Sequence, residues 1–229
     1  MKKYVLLLHG ALGTKDQFNE LTEYLLPNYE VLSMNFEGHG DYLSNNEFSM
    51  QLFVDQVISF LKESKVENTH VFGYSMGGYV ALKLALKAPK LVVKIITLGT
   101  KFDWSKEATD KEVAMLNPEV MEVKIPDYAA ILKNVHSPNN WKEVVYKTAN
   151  LMLSLASGSK LSQEDLMLIE NDVLISVGEK DTMVGVEESS MAVSFLRNAN
   201  LKVIDNFRHP LELVDKEMLS RIICDFLKK

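Results

Sequence analysis

Three side chains in this sequence have the types and the chain order that acyl transfer through a serine requires: Ser75, Asp181 and His209. A serine hydroxyl attacks a carbonyl only when a base takes its proton, and that base needs an acid to fix its tautomer and stabilise its charged form. Ser75 lies in Gly73-Tyr74-Ser75-Met76-Gly77, between an apolar run at 69–72 and a helical run at 78–88. A serine on so sharp a strand-to-helix turn holds a strained backbone. Residues two before and two after it crowd neighbouring elements unless they lack a Cβ, a demand that Gly73 and Gly77 meet. Such a turn sets the hydroxyl at a helix N-terminus, where unpaired N–H groups and the helix dipole favour developing negative charge. The bare pattern arises by chance in on the order of one chain in ten of this length, so its surroundings decide.

For the three residues to meet, each must stand at the same edge of one sheet, and the apolar patterning supplies that sheet. Tyr4–Leu8 is a short continuous apolar run closed by His9-Gly10, as in a parallel strand covered on both faces. A helix at about 15–26, a strand at 29–36 and a turn-rich loop, Glu37-Gly38-His39-Gly40-Asp41, come next. Ser49 is placed to cap a helix whose apolar residues Met50, Phe53, Val54, Val57, Ile58 and Leu61 recur at helical spacing. The serine turn continues the alternation, and a strand at 91–98 follows it. From 101 to 168 the period breaks into helical pieces near 106–116, 118–135 and 141–157, which predicts a helical cap inserted into a core of residues 1–100 and 169–229. Alternation resumes with a strand at 173–177, a helix near 186–197, a strand at 201–204 and a terminal helix carrying Leu211, Met218, Leu219, Ile222, Ile223 and Phe226. The predicted fold class is α/β: an open, mostly parallel sheet of about six strands flanked by helices, with its ligand crevice at the carboxyl ends of the strands.

Composition narrows the function classes. With 229 residues, 47% hydrophobic and 24% charged, the chain can bury a full core. A net charge of −6 gives no footprint for nucleic acid or an anionic membrane. Met1-Lys2-Lys3 ahead of an apolar run resembles the start of a signal segment, but the run ends at His9-Gly10 and reads as a strand. No apolar stretch approaches the ~18 residues of a membrane span, so a cytoplasmic protein is expected. The single cysteine, Cys224, lies on the apolar side of the last helix and is expected to fill core.

In combination these features resemble the α/β-hydrolase superfamily over nearly the whole chain apart from the cap. Gly73 to Gly77 resembles its nucleophile elbow, His9-Gly10-Ala11 its oxyanion loop, Phe36 to Asp41 its second-strand loop, and Gly178 to Val184 its acid turn. Ser75, Asp181 and His209 also follow the family's order of nucleophile, acid and base. The chain departs by starting at the strand before His9, without the family's usual first two strands, and by having Asn35 and Glu37 where relatives often carry an acid and an arginine. The resemblance implies an oxyanion hole from the N–H groups of Met76 and of Ala11, with Leu12 as the other candidate. It also implies a small-molecule substrate and no external cofactor.

The remaining candidates have plainer alternatives. Asp172 and Asp205 rival Asp181, but Asp172 precedes its strand and Asp205 ends the strand leading to His209. His9 next to Gly10 and His39 between Gly38 and Gly40 sit in tight loops and are expected to bond nearby backbone; His70 belongs to the strand before the serine, and His136 reads as a polar loop residue. No second ligand stands at metal-binding spacing from His136, so no metal is expected. Leu12, Tyr74, Trp104, Met121, Trp141 and Met152 are the candidates to line an apolar substrate pocket, the alternative for each cap residue being to hold the cap together. The leading expectation is an esterase or thioesterase. A C–C or C–O bond hydrolase or lyase acting on an anionic metabolite, or a ligand-binding homologue without turnover, is the alternative.

Overall fold

A computed structural model describes residues 3–228; Met1, Lys2 and Lys229 lie outside the described residues. Six parallel strands form one sheet: β1 (Tyr4–Leu8), β2 (Glu30–Met34), β3 (Thr69–Tyr74), β4 (Val92–Leu98), β5 (Asp172–Gly178) and β6 (Ala199–Ile204), in the order β2-β1-β3-β4-β5-β6. The chain runs outward from β1 to β2 and then reverses to β3 on the other side of β1. Such a reversal opens a crevice at the carboxyl ends of the two strands, because the connections leave to opposite faces. His9 follows β1 and Ser75 follows β3, so both stand at this crevice.

Alternation along the strands divides the core between the two faces of the sheet. Leu6, Leu8, Val71, Ile95, Val173 and Ile175 pack on one face with α2 (Met50–Glu63), α3 (Met76–Lys87) and α9 (Val186–Phe195). Val5, Leu7, Phe72, Tyr74, Ile96 and Leu98 pack on the other with α1 (Asn19–Leu25) and α10 (Lys216–Lys228). Helix α10 buries Leu219, Ile223, Cys224 and Leu227, where each large aliphatic side chain contributes about 1.5–3 kcal/mol. The Ser49 hydroxyl accepts the Leu52 N–H and caps α2.

Between β4 and β5 lie α4 (Lys106–Ala114), α5 (Pro118–Lys124), α6 (Pro126–Val135), α7 (Trp141–Ser154), a π-helical turn at Leu155–Ser159, and α8 (Gln163–Met167). Several boundaries differ from those the periodicity predicts. The piece expected at 118–135 is two helices, because Pro126 cannot donate to the preceding turn and Ile125 leaves the helical region at φ −139, ψ 59. The first turn expected at 15–18 is 3-10, and Leu211 belongs to a separate 3-10 turn, Leu211–Leu213. Asp172 opens β5 rather than preceding it. Among the described residues, no helix is long and apolar enough to cross a membrane.

Candidate active site

Ser75 occupies the turn between β3 and α3 with φ 51, ψ −116, a conformation that costs a non-glycine residue of order 1–3 kcal/mol. Its surroundings hold it there: the Ser75 N–H donates to the Leu98 carbonyl at 2.8 Å, and the Thr100 hydroxyl donates to the Ser75 carbonyl at 3.0 Å. The two flanking glycines are required by close approach. A Cβ on Gly73 would lie 2.4 Å from the Gly77 carbonyl carbon, and one on Gly77 would lie 2.0 Å from the Leu8 carbonyl oxygen.

Asp181 and His209 meet across two further strand ends. Asp181, just past β5, accepts the Met183 and Val184 N–H groups on Oδ1, both at 2.9 Å, which leaves Oδ2 facing His209 Nδ1 at 2.8 Å. The two side chains are nearly sealed, 2% exposed for Asp181 and 10% for His209. Burial alone pushes the Asp181 carboxyl up, but the His209 ring and the two amides outweigh it and hold the carboxyl below its usual value. Gly99, at φ +61, backs onto the pair; a Cβ there would lie 3.2 Å from both Asp181 Oδ2 and His209 Nδ1. Tyr74, expected in a substrate pocket, instead donates its hydroxyl to the His209 carbonyl at 2.8 Å and packs with the core on the far side of the sheet. The rival acids stand elsewhere: Asp172 pairs with Lys94 at the amino end of β5, and Asp205 is exposed.

The loop after β1 lies against the serine, since a Cβ on Gly10 would come within 3.3 Å of Ser75 Cβ. Among the described residues the N–H groups of Ala11 and Met76 have no acceptor within the protein. A cluster of buried histidines supports this loop. His9 Nδ1–H donates to the Gly10 carbonyl and its Nε2 accepts the Phe36 N–H. His39 donates to the Glu37 carbonyl. His136, expected to be a polar loop residue, is fully buried: Nδ1 accepts the Gly40 N–H at 3.0 Å and Nε2–H donates at 3.1 Å to the carbonyl of Leu12, itself at φ 57. Asn35 ties the neighbouring loops, accepting the Lys15 N–H and donating to Asp41.

Burial lowers the pKa of His9 and of His136 to about 4 and that of His39 well below its ordinary value. Protonation of His9 or His136 would also turn an acceptor nitrogen toward an N–H. The unfolded chain takes up these protons near pH 6.5, so between about 6.5 and 4 it binds more protons than the folded chain. Stability is therefore full above this window and is lost as pH falls through it. One such histidine accounts for on the order of 3 kcal/mol across the window, or about 10 °C in Tm for a domain of this size. Circular dichroism melts at pH 7 and pH 4.5 should differ by at least that order; equal melting temperatures would contradict neutral buried imidazoles.

A narrow cavity of about 50 Å³ lies beside the serine. Ala11, Ser75, Met76 and His209 meet in its wall together with Met50, Tyr79, Met183 and Val184. Lys101, Trp104, Glu112, Thr148, Leu151, Met152 and Leu155, all from the segment between β4 and β5, complete it. Of the six pocket candidates from the sequence, Trp104 and Met152 line this cavity. Leu12, Tyr74, Met121 and Trp141 do not; Met121 and Trp141 are buried in the core on the α2–α3 side of the sheet, 3% and 6% exposed. Lys101 and Glu112 escaped the sequence reading, because a charged residue carries no periodic signal of burial. Among the described residues no group of three or more His, Cys, Asp or Glu side chains is arranged to hold a metal ion.

Comparison with known proteins places the fold. The sequence is 22% identical to an uncharacterized hydrolase, YugF, of Bacillus subtilis, over 99% of this chain and 90% of that protein. It is 27% identical to an sn-1-specific diacylglycerol lipase, ABHD11, of Xenopus laevis, over 58% of this chain and only 38% of the length of that relative. The fold superposes on the 2-hydroxy-6-oxo-6-phenylhexa-2,4-dienoate hydrolase of Rhodococcus sp. strain RHA1 with a TM-score of 0.83 and 18% identity, covering 100% of this chain and 91% of the other. A family model described as alpha/beta hydrolase fold matches residues 3–122, a stretch that runs from β1 through the serine turn into α5. With more than half its length matched and a six-stranded parallel sheet carrying the turn, this chain belongs to the alpha/beta hydrolase fold family.

Proposed function

We propose that the protein is a serine hydrolase that cleaves an ester or thioester of a small to medium apolar substrate through an acyl-enzyme. The observation that carries this reading is the 2.8 Å contact between Asp181 and His209 in the wall of the same cavity as Ser75. In this mechanism His209 takes the Ser75 proton as the hydroxyl attacks the carbonyl, and the N–H groups of Ala11 and Met76 hold the oxyanion. The protonated imidazole then gives its proton to the leaving alcohol or thiol. Water, deprotonated by the same ring, releases the acid and restores the serine. No external cofactor takes part in these steps. The chain's three arginines, Arg197, Arg208 and Arg221, are absent from the cavity wall, which disfavours an anionic substrate of the kind a guanidinium fork would bind.

Labelling with a fluorophosphonate, followed by mass spectrometry of the Ser75 peptide, tests the nucleophile directly. Turnover across nitrophenyl esters and acyl thioesters of graded chain length then defines the reaction. An unlabelled Ser75 in folded protein would leave only the ligand-binding reading.

In this proposal the helical segment at 101–168 acts as a cap that sets substrate choice. Each buried methylene contributes ~0.8 kcal/mol, about fourfold in kcat/KM when it is buried in the transition state. Met152→Ala and Trp104→Ala should thus move the optimum toward longer chains in at least one case. Met121→Ala and Trp141→Ala, away from the cavity, should lower Tm and keep the wild-type ranking. Identical rankings for all four variants would show that the segment does not select the substrate.

A further inference from the structure

Most of the cavity wall is apolar, but it also carries charged and polar groups that the proposed acyl transfer does not use. Lys101 leaves the end of β4 with Nζ 3.5 Å from Glu112 Oε1 and 3.8 Å from Glu188 Oε1, and it donates to the Met183 carbonyl at 3.1 Å. The two carboxylates differ in how they are satisfied. Glu188 accepts the N–H groups of Phe102 and Asp103 at 2.8 Å and of Gly185 at 3.0 Å, so its role within the fold is complete. Glu112, 5% exposed on α4, has Lys101 as its partner and, among the described residues, no N–H or O–H at hydrogen-bond distance. Trp104 Nε1 is buried with no acceptor. A buried carboxylate with one distant partner and a buried donor with none are both costly, unless an occupant of the cavity completes them.

We propose that Lys101, Glu112 and Trp104 form a polar subsite that takes a neutral, hydroxyl-bearing part of the substrate and excludes a carboxylate. A hydroxyl can donate to Glu112 and accept from Trp104 or Lys101 at once, which an alkyl end cannot do. An anion meets one ammonium already flanked by two carboxylates, with Asp181 as a third behind His209 of the same wall, and like charges so placed reject a partner strongly. This subsite rests on the serine-hydrolase reading and narrows it to esters whose acyl or alcohol part ends in a hydroxyl.

Two matched ester series test it by kcat/KM. In one, nitrophenyl hexanoates end in methyl, hydroxyl or carboxylate; in the other, acetate esters of hexyl alcohols carry the same three ends. In at least one series the hydroxyl ester should exceed the carboxylate ester by roughly tenfold or more, and Glu112→Gln should shrink that ratio about fivefold by removing a charge while keeping the shape. Trp104→Phe, which keeps a ring and removes the donor, should lower the hydroxyl-to-methyl ratio about threefold. The subsite is refuted if the hydroxyl ester exceeds the carboxylate ester in neither series, or if Trp104→Phe leaves the hydroxyl-to-methyl ratio of both series unchanged; this second criterion stands even if Glu112→Gln does not fold. Labelling of Ser75 by a fluorophosphonate lacking all three ends separates the failures. A labelled serine with unaltered ratios overturns the subsite alone, whereas no labelling overturns the hydrolase reading itself.

Discussion

Ser75→Ala is expected to give a folded protein whose esterase kcat is reduced by a factor on the order of 10⁶, to the level set by binding and oxyanion stabilisation alone. Among the described residues the hydroxyl has no hydrogen-bond partner, whereas the turn is held by the backbone of Ser75 through Leu98 and Thr100, which alanine retains. Alanine and serine also meet the same restriction at φ 51, so the strain in the turn does not change. Melting temperature should therefore stay within a few degrees of wild type while labelling by fluorophosphonate disappears. Purified Ser75→Ala protein that turns over nitrophenyl esters at the wild-type rate would sink the assignment of the nucleophile.

Asp181→Asn is expected to lower kcat by roughly 10³ to 10⁴ with KM little changed. The hydrogen bonds around Asp181 explain why. Oδ1 accepts two N–H groups, from Met183 and Val184, so an asparagine must keep its carbonyl oxygen on that side and turn its amide toward His209 Nδ1. The imidazole then accepts through Nδ1 and carries its proton on Nε2, facing the serine it should deprotonate. Steady-state kinetics together with a melt would check this, and Asp205→Asn, at an exposed position, serves as the comparison. A severe loss in Asp205→Asn with a near-neutral Asp181→Asn would assign the acid to the other strand.

The sequence alone was sufficient for the sheet, the serine turn and the placing of Ser75, Asp181 and His209 after the ends of strands. These are set by local rules: apolar runs too short for helices, a serine whose neighbours at two residues on each side lack a Cβ, and polar residues at strand ends. It also contained, unread, the position of Tyr74. A side chain two residues from Phe72 on a strand shares its face, and here that face packs against α1 and α10, away from the cavity. The short helix α8 has too few residues to show a period, and the break before Pro126 divides a stretch whose apolar spacing reads as continuous. Only the tertiary structure decided which residues of the 101–168 segment face the serine. Trp104 and Met152 line the cavity while Met121 and Trp141 do not, although all four are equally apolar, because the face a helix presents depends on the path of the loops that carry it across the sheet. The same holds for His136 and for Lys101 with Glu112. The Leu12 partner of His136 lies 124 residues away, and Lys101 meets Glu112 only because the loop after β4 turns back toward α4, so neither pairing shows as a periodic spacing.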